Sequence, residues 1–347
     1  MLATTTPYDN FAPWLLKNLK DAYGEEKVNA IAEAVMTEYP VYLSINHPMG
    51  ASAEEKLLKV ERIQSAFESH YELVMEEEVG STAAPKTDVL PHGSLFIDKR
   101  QFPGSVSSWP LYNEGEWWVQ DASATLPAIA LSNSCLRNIP EEGLPISSRM
   151  IVDMCAAPGG KTAQLLSLGF SRVTAVEFSA RRARKLQSNL QRLNLEERCE
   201  TIVADGKSWI PTGGKKSVDG VLLDVPCTAT GTASRRPDVL RRDEDLSAIL
   251  ESQYKLATHC ADNILSSGGV MVYATCSLLK EESEDQVHKL LSRNEGAKLK
   301  TIPFTKGEIP GFDDAIDGNG WLRVLPGCLP GKLQSCDGFF VARLQKG

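Results

Sequence analysis

The sequence lacks the usual features of metal-binding, disulfide-bonded and membrane-spanning proteins. None of its eight cysteines forms a C-x-x-C pair, and its five histidines do not cluster near them, so we expect neither a zinc site nor a disulfide framework. No apolar run approaches the ~18 residues of a membrane-spanning helix, and the first residues show no basic and apolar segments of a secretory signal. Reduced thiols fit a cytosol-like compartment. We therefore expect a cytoplasmic protein, with an organelle or the nucleolus as the alternative location.

Positive charge is scarce as well. The formal net charge is −8, and the first 120 residues contain nine Lys and Arg against 18 Asp and Glu. The remaining residues are almost balanced, with 28 basic and 27 acidic side chains. A chain with this balance is a poor non-specific binder of nucleic acid, so an RNA or DNA partner would need a local basic surface.

The first 115 residues have the pattern of a small α+β domain. Apolar residues recur at helical spacing in two stretches, the second of which opens with a capping box of Ser52 and Glu55. The predicted helices cover Asn10–Met36, divided at Gly24, and Ser52–Phe67, and the predicted strands are Pro40–Asn46, Tyr71–Met75 and Ser94–Asp98.

Residues 116–347 alternate short β-branched runs with helical stretches. The runs lie at 150–154, 173–178, 201–205, 220–225 and 269–275, and the helical stretches at 161–168, 180–193 and 244–266. Such alternation predicts an α/β domain with a parallel sheet and helices on both faces. Sheets of this type bind their ligands outside the carboxyl ends of the strands.

A glycine-rich loop follows the first of these strands, in the segment DMCAAPGGKT (Asp153–Thr162). Gly159 and Gly160 allow the backbone to approach a ligand at a helix N-terminus, although the loop is neither a Walker loop nor a G-x-G-x-x-G fingerprint. Glu177 ends the next strand, where an acid accepts hydrogen bonds from ribose hydroxyls. The pair predicts an adenosine-type cofactor. The alternatives are a tight turn that binds nothing and a solvated carboxylate.

Two cysteines follow neighbouring strands at the same edge of the predicted sheet. Cys227 comes after Asp224-Val-Pro, and Cys276 comes after Ala-Thr. A thiolate that adds to carbon 6 of a pyrimidine makes carbon 5 nucleophilic, so these thiols beside an adenosine cofactor predict methyl transfer to an electron-poor ring. Neither motif contains a histidine, which leaves a cysteine protease unsupported. For the other cysteines we expect inert packing: Cys135, Cys199, Cys260, Cys328 and Cys336.

Four motifs carry a resemblance to a known family: VDMCAAPGGKT, LLDVPCTATGTASRRPDV, VYATCSLLKEESEDQV and VQDASA. The chain resembles the S-adenosylmethionine-dependent RNA (cytosine-5)-methyltransferases of the Sun family, and is most similar to the bacterial RsmB (Fmu) type. The resemblance covers roughly residues 11–345. It implies a Rossmann-like catalytic domain over 116–347 and an RNA-recognition domain over 1–115, without the helical NusB-like domain with which the bacterial type begins.

The resemblance also implies roles for single residues. Cys276, in the Thr-Cys motif, resembles the nucleophile, and Cys227, in the Pro-Cys motif, resembles the cysteine that helps to release the product, with Asp224 as a third catalytic residue. DNA cytosine-5 enzymes use a Pro-Cys nucleophile, so the second cysteine favours RNA. The implied S-adenosylmethionine contacts are Cys155, Ala156, Ala157, Pro158, Gly159, Gly160, Lys161, Glu177, Asp205 and Asp224.

A basic cluster follows the Pro-Cys strand and is the best candidate for contacts with RNA phosphates. It comprises Arg235, Arg236, Arg241 and Arg242. The alternative is that these arginines pair with acids such as Asp238 or Glu244 and only order the loop. A second basic run, 181–185, is equally well explained as a solvated helix face.

We therefore expect a monomeric enzyme that methylates carbon 5 of cytosine in RNA, with rRNA favoured over tRNA, and that needs neither a metal nor a membrane. Methylation of a protein or a small molecule is one alternative, but it would not need two cysteines at strand ends. A non-catalytic RNA-binding or ribosome-assembly factor that keeps the fold is another, and such a factor has no use for both thiols.

Overall fold

The computed structural model describes residues 6–37, 40–77, 87–102, 104–137 and 146–347. Two sheets organise these residues, a small antiparallel one and a large, mostly parallel one. None of the helices within the described ranges is both long and apolar enough to cross a membrane.

The small sheet has four strands in the order β2-β3-β1-β4, all antiparallel. They are β1 (Val41–Ile45), β2 (Thr87–Val89), β3 (Leu95–Ile97) and β4 (Trp117–Val119). Because β4 lies beyond residue 115, this sheet takes one strand from the segment that the sequence assigns to the catalytic domain. The division at residue 115 stays a prediction.

Two helices accompany the small sheet. The first, α1 (Pro13–Ala34), is interrupted at Gly24, whose φ of 78° lies in the left-handed region that glycine favours. The second, α2 (Ala53–Glu77), begins with the predicted capping box, since Ser52 N donates to Glu55 Oε2 at 2.7 Å and Glu55 N donates to Ser52 Oγ at 3.2 Å.

The predicted strand at Tyr71–Met75 is wrong, because these residues form part of the last turns of α2. Ile63, Phe67 and Tyr71 lie four residues apart and are all buried with the small sheet and Trp117 in one cluster. Period-four burial is the helical pattern, and it extends the helix through a segment that is strand-like only when considered alone.

The large sheet has eight strands, of which seven follow the order β10-β12-β9-β8-β5-β6-β7 and β11 pairs with β12. Strands β5 to β9 are parallel, as predicted, and β10 to β12 add an antiparallel edge. Their bounds are β5 (Ile151–Met154), β6 (Val173–Glu177), β7 (Cys199–Val203), β8 (Val218–Asp224), β9 (Leu265–Thr275), β10 (Leu299–Thr301), β11 (Leu322–Val324) and β12 (Phe339–Lys346).

Helices cover both faces of this sheet, which confirms the predicted α/β fold. One core contains Leu131, Leu165 and Leu186, and the opposite core contains Leu256 and Val287. The helices are α3 (Leu126–Arg137), α4 (Gly160–Ser167), α5 (Ala180–Arg192), α6 (Leu246–His259) and α7 (Glu284–Ser292). The predicted helix 244–266 is too long, because a π-helical turn (Cys260–Ile264) follows α6 and leads into β9.

The strand order reverses between β5 and β8. Chain order runs outward from β5 through β6 to β7 on one side, and from β8 to β9 on the other. The loops that leave β5 and β8 therefore diverge and open a crevice, which is where such sheets bind ligands. The glycine loop and the Pro-Cys segment are these two loops.

Candidate active site

The glycine loop is shaped by packing as well as by backbone freedom. Gly159 has a φ of 99°, and a Cβ there would lie 3.0 Å from Leu186 Cγ of α5. The next residue, Gly160, begins α4, so the loop presents the N-terminus of a helix to the crevice. Gly159 thus faces the core, whereas its neighbours face the ligand side.

Glu177 ties this loop to the end of β6, and its side chain is only 2% exposed. Its Oε2 accepts from Ala157 N at 3.3 Å, and its Oε1 accepts from Ser179 N at 3.0 Å. Arg182 contacts both partners, since its Nη1 donates to Glu177 Oε1 at 3.4 Å and its Nη2 donates to Ala157 O at 2.6 Å. Arg182 belongs to the basic run 181–185, and in the structure it stabilises the glycine loop by linking Ala157 to Glu177.

Two cavities of about 230 Å³ each meet at Cys155. The Glu177 cavity is lined by Glu177, Phe178, Asp205 and Leu256 among others. The Lys161 cavity includes six loop residues, Cys155, Ala156, Ala157, Pro158, Gly160 and Lys161, together with Asp224 and Arg235.

The two cavities suit the two ends of S-adenosylmethionine. An acid beside apolar side chains fits an adenosine, as predicted for Glu177 and Asp205. Backbone N–H groups at the start of α4 fit a carboxylate. Apart from Gly159, every residue that the resemblance assigns to the cofactor lines at least one cavity.

Lys161 and Asp224 form an ion pair at the floor of the crevice, with Nζ 2.8 Å from Oδ2. Burial alone would lower the pKa of the Lys161 ammonium, but the Asp224 carboxylate raises it above the ordinary value. The ammonium also lies 5.2 Å from the ring centroid of Phe339. The positively charged ammonium of Lys161 is therefore held at the carboxyl end of β8 by Asp224.

The two predicted cysteines lie side by side, with Cys227 Sγ 3.5 Å from Cys276 Sγ. Their loops leave the parallel neighbours β8 and β9 at the same edge of the sheet. The hydrogen bond with Cys227 and burial raise the pKa of the Cys276 thiol well above its ordinary value, whereas the Lys161 ammonium lowers it. Cys276 is thus a protonated thiol at neutral pH, beside a cation that favours its thiolate.

Three of the four predicted arginines have polar partners within the chain. Arg235 Nε donates to Asp337 Oδ2 at 3.0 Å, Arg241 Nη2 donates to Asp9 O at 2.6 Å, and Arg242 Nε donates to Asp238 Oδ2 at 2.9 Å. Arg242 also pairs with Glu244. Within the described residues, only the exposed Arg236 of the four has a side chain without an ion pair or hydrogen bond.

Three buried aspartates near the Lys161 cavity received no role in the sequence analysis. Burial raises the pKa of Asp153 to about 7 and, with Asp121, that of Asp337 to about 7. Asp121 Oδ1 accepts from Asp337 N at 3.0 Å, which joins the VQDASA motif to the C-terminal DGFF segment. Asp153 and Asp121 lie within two of the motifs that carry the resemblance, VDMCAAPGGKT and VQDASA, and these motifs could have pointed to them.

The fold is shared with solved structures. The crystal structure of PH0851 superposes with a TM-score of 0.75 at 23% identity, over 99% of this chain and 70% of that one. A methyltransferase homolog protein from Pyrococcus horikoshii gives a TM-score of 0.64 at 23% identity, over 97% of this chain and 100% of that one. These likenesses, with the glycine loop after β5 and Glu177 at the end of β6, define a Rossmann-like α/β fold.

Sequence comparison identifies the family. The family model described as 16S rRNA methyltransferase RsmB/F matches residues 144–345, more than half of the chain. The ribosomal RNA small subunit methyltransferase B of Shewanella oneidensis is 31% identical over 340 residues, which are 97% of this chain and 67% of that protein. The chain belongs to the RsmB/F family of 16S rRNA methyltransferases.

Membership confirms three predictions from the sequence: the Sun-type family, an RNA methyltransferase as the class of enzyme, and S-adenosyl-L-methionine as the cofactor of that class. The chain spans about two thirds of the length of the curated relatives that it matches.

Proposed function

We propose that this protein methylates carbon 5 of a cytosine in RNA through a covalent bond between Cys276 and the base, with rRNA as the favoured substrate and tRNA as the alternative. The observation that carries the proposal is the pair of thiols 3.5 Å apart beside the Lys161–Asp224 ion pair. A methyltransferase that acts on a nucleophilic oxygen or nitrogen needs no such pair.

The cofactor would be held by the glycine loop from Cys155 to Lys161, by Glu177 and by Asp205. S-adenosylmethionine supplies a methyl group attached to a positively charged sulfur. Glu177 would accept from the ribose hydroxyls, a role supported by its position in the wall of the Glu177 cavity. Lys161 and Asp224 would stand between the cofactor and the base.

The two cysteines would divide the chemistry on the base. The Cys276 thiol would release its proton to solvent and its sulfur would bond to carbon 6, while the electron pair of the ring double bond moves to carbon 5 and makes it nucleophilic. After carbon 5 has gained the methyl group, Cys227 in its thiolate form would take the proton from carbon 5. The electrons of that C–H bond would restore the ring double bond, and the carbon–sulfur bond would break with its electron pair left on the Cys276 sulfur. Two barriers thus replace one difficult step.

The RNA would present the target cytosine outside its stack, because the Cys276 thiol is partly buried after the end of β9 and carbon 6 of a stacked, paired base would not reach it. A loop or a locally opened helix is the substrate class that fits. Of the four predicted arginines, Arg236 is the one we propose as a phosphate contact. We further propose that the protein acts as a monomer in the cytoplasm, with residues 1–115 contributing to RNA recognition.

The test uses single cysteine variants with labelled rRNA and S-adenosylmethionine. Cys276→Ala should abolish methylation and leave cofactor binding intact. Cys227→Ala should accumulate an RNA–protein adduct that survives denaturing electrophoresis, because the carbon-5 proton is not removed. Cys135→Ala, a buried packing cysteine of α3, is the matched control and should behave as the wild type.

Two outcomes would contradict the proposal. An adduct formed by Cys276→Ala but not by Cys227→Ala would exchange the two roles. The non-catalytic assembly factor would be favoured if the wild type binds RNA without methylating it and if neither cysteine variant forms an RNA–protein adduct.

A further inference from the structure

A single buried carboxylate contacts the loops of both cysteines. Glu282 lies between β9 and α7 and is fully buried. Its Oε1 accepts from Thr228 N and from Gln253 Nε2, each at 3.0 Å. Its Oε2 accepts from Thr228 Oγ1 at 2.6 Å and from Ser277 Oγ. Three of these four donors belong to Thr228 and Ser277, and the fourth belongs to Gln253 of α6.

Two of the residues that donate to Glu282 are direct sequence neighbours of the cysteines. Thr228 directly follows Cys227, and Ser277 directly follows Cys276. The two hydroxyls also lie 3.1 Å from each other. On the other side of Cys227, Gln253 Nε2 donates to Pro226 O at 2.9 Å. Glu282 and its partner Gln253 therefore hold the residues immediately before and after Cys227 and the residue after Cys276.

Hydrogen bonds hold this carboxyl group. Among the residues that the structure describes, no Lys or Arg side chain pairs with Glu282. Burying a carboxyl group away from water is costly unless its oxygens are satisfied, so the site is stable only while the donors stay in place. The same requirement makes the carboxyl group a rigid link between two loops that are 49 residues apart at their cysteines.

We propose that Glu282 is a positioning residue that sets the distance between the Cys227 and Cys276 thiols. The effect of Glu282 on turnover rests on the proposed function, since only a reaction that uses both thiols depends on the distance between them. The step most affected is the last one, in which Cys227 must reach the carbon-5 proton while Cys276 still holds the base. The spacing itself does not depend on RNA and is measured without it.

The test measures how fast the two thiols form a disulfide in the purified full chain. Diamide serves as the oxidant, because its azo group takes up the two electrons and two protons that the thiols lose. The Cys227–Cys276 linked peptide is quantified by mass spectrometry over time. Glu282→Ala should form it at least about tenfold more slowly than the wild type, because neither loop is then anchored to the other.

Glu282→Gln is the conservative variant, and its Cys227–Cys276 disulfide should form within about twofold of the wild-type rate. Its carbonyl oxygen can accept from Thr228 N and Gln253, and its amide can donate to the two hydroxyl oxygens. Glu308→Ala is the matched control, because the side chain of Glu308 is only 4% exposed but pairs with Arg343 of β12 and contacts neither cysteine loop. Its loss should lower stability and leave the oxidation rate unchanged.

Thr228→Val keeps the volume of the side chain and removes one anchor, which covers the case in which Glu282→Ala does not fold. It should slow disulfide formation about threefold. Wild-type oxidation rates in Glu282→Ala, or in Thr228→Val where the first variant is unfolded, would overturn the proposal.

Enzyme assays separate this inference from the proposed function. Glu282→Ala should lower kcat and accumulate the RNA adduct, with an unchanged KM for S-adenosylmethionine, and Glu282→Gln should restore turnover. A merely destabilised protein would lose kcat without accumulating adduct. If the wild type forms the disulfide as expected but methylates no RNA, the proposed function fails and the positioning role of Glu282 stands.

Discussion

The two halves of the crevice are built in different ways. In the cofactor half, Glu177 and Arg182 contact Ala157 of the glycine loop over 20 and 25 positions, and Lys161 reaches farther, to Asp224 over 63. In the thiol half, Thr228 contacts Glu282 over 54 positions and Ser277 over 49. The surroundings of Glu177 are therefore local in sequence, whereas the thiol half is assembled from distant segments.

The N-terminal helix belongs to the thiol half. Leu15, Leu19 and Ile31 of α1 pack in one cluster with Leu278, two residues after Cys276, and with Leu240, which lies between Arg236 and Arg241. Tyr23 Oη donates to Leu278 O at 2.8 Å over 255 positions. The comparison therefore predicts that substitutions in α1 slow the formation of the Cys227–Cys276 disulfide without weakening the binding of S-adenosylmethionine. Substitutions at Glu177 should weaken cofactor binding without changing the rate of disulfide formation.

The largest expected effect comes from Leu19→Ala. Leu19 is fully buried, and its truncation should lower the free energy of unfolding by about 2–5 kcal/mol in urea titrations. The folded variant should form the Cys227–Cys276 disulfide more slowly but bind S-adenosylmethionine as the wild type does. Leu57→Ala, on an exposed position of α2, should change stability by less than about 0.5 kcal/mol. Weakened cofactor binding in Leu19→Ala would mean that the two halves are not separable.

Glu177→Ala tests the cofactor half of the crevice. Charge-assisted hydrogen bonds to the ribose are worth about 1.5–3 kcal/mol each, so calorimetry should show at least about tenfold weaker S-adenosylmethionine binding. Thiol oxidation should stay at the wild-type rate. Glu177→Asp, which keeps both acceptor oxygens on a shorter side chain, should recover part of the affinity. An unchanged affinity in Glu177→Ala would remove the ribose role.

The same contrast explains what the sequence could predict. Strand β5, the glycine loop and Glu177 form one local pattern, so the cofactor half follows from spacing alone. The pairing of Cys227 with Cys276 followed from the rule that neighbouring parallel strands end at one edge. Glu282 and Asp337 act through partners that no local pattern reveals. The basic cluster after the Pro-Cys strand predicts an RNA contact for Arg235, and its pairing with Asp337 is not visible in the sequence because the two residues are 102 positions apart.

The pH dependence of thiol reactivity sharpens the comparison within the thiol half. The hydrogen bond with Cys227 and burial raise the pKa of Cys276, so its thiolate fraction, and with it the rate of alkylation by iodoacetamide, should rise about tenfold per pH unit through neutrality. Cys227→Ala removes the main cause of the shift. The alkylation profile should move to lower pH, with a rate at pH 7 at least about threefold higher. A profile that moves to higher pH would show that Cys227 stabilises the thiolate.

The smallest effect concerns two adjacent arginines with different surroundings. Arg236 is exposed, whereas Arg235 pairs with the buried Asp337 beside the Lys161 cavity. If Arg236 contacts a phosphate, Arg236→Gln should reduce the slope of log K against log salt by about 0.7 for single-stranded RNA and leave thermal stability unchanged. Arg235→Gln should lower the melting temperature, because Asp337 loses its guanidinium partner, with little change in that slope. Titrations of one RNA oligonucleotide at four salt concentrations measure both variants. A salt slope that falls in Arg235→Gln and not in Arg236→Gln would put RNA on the Asp337 side of the loop.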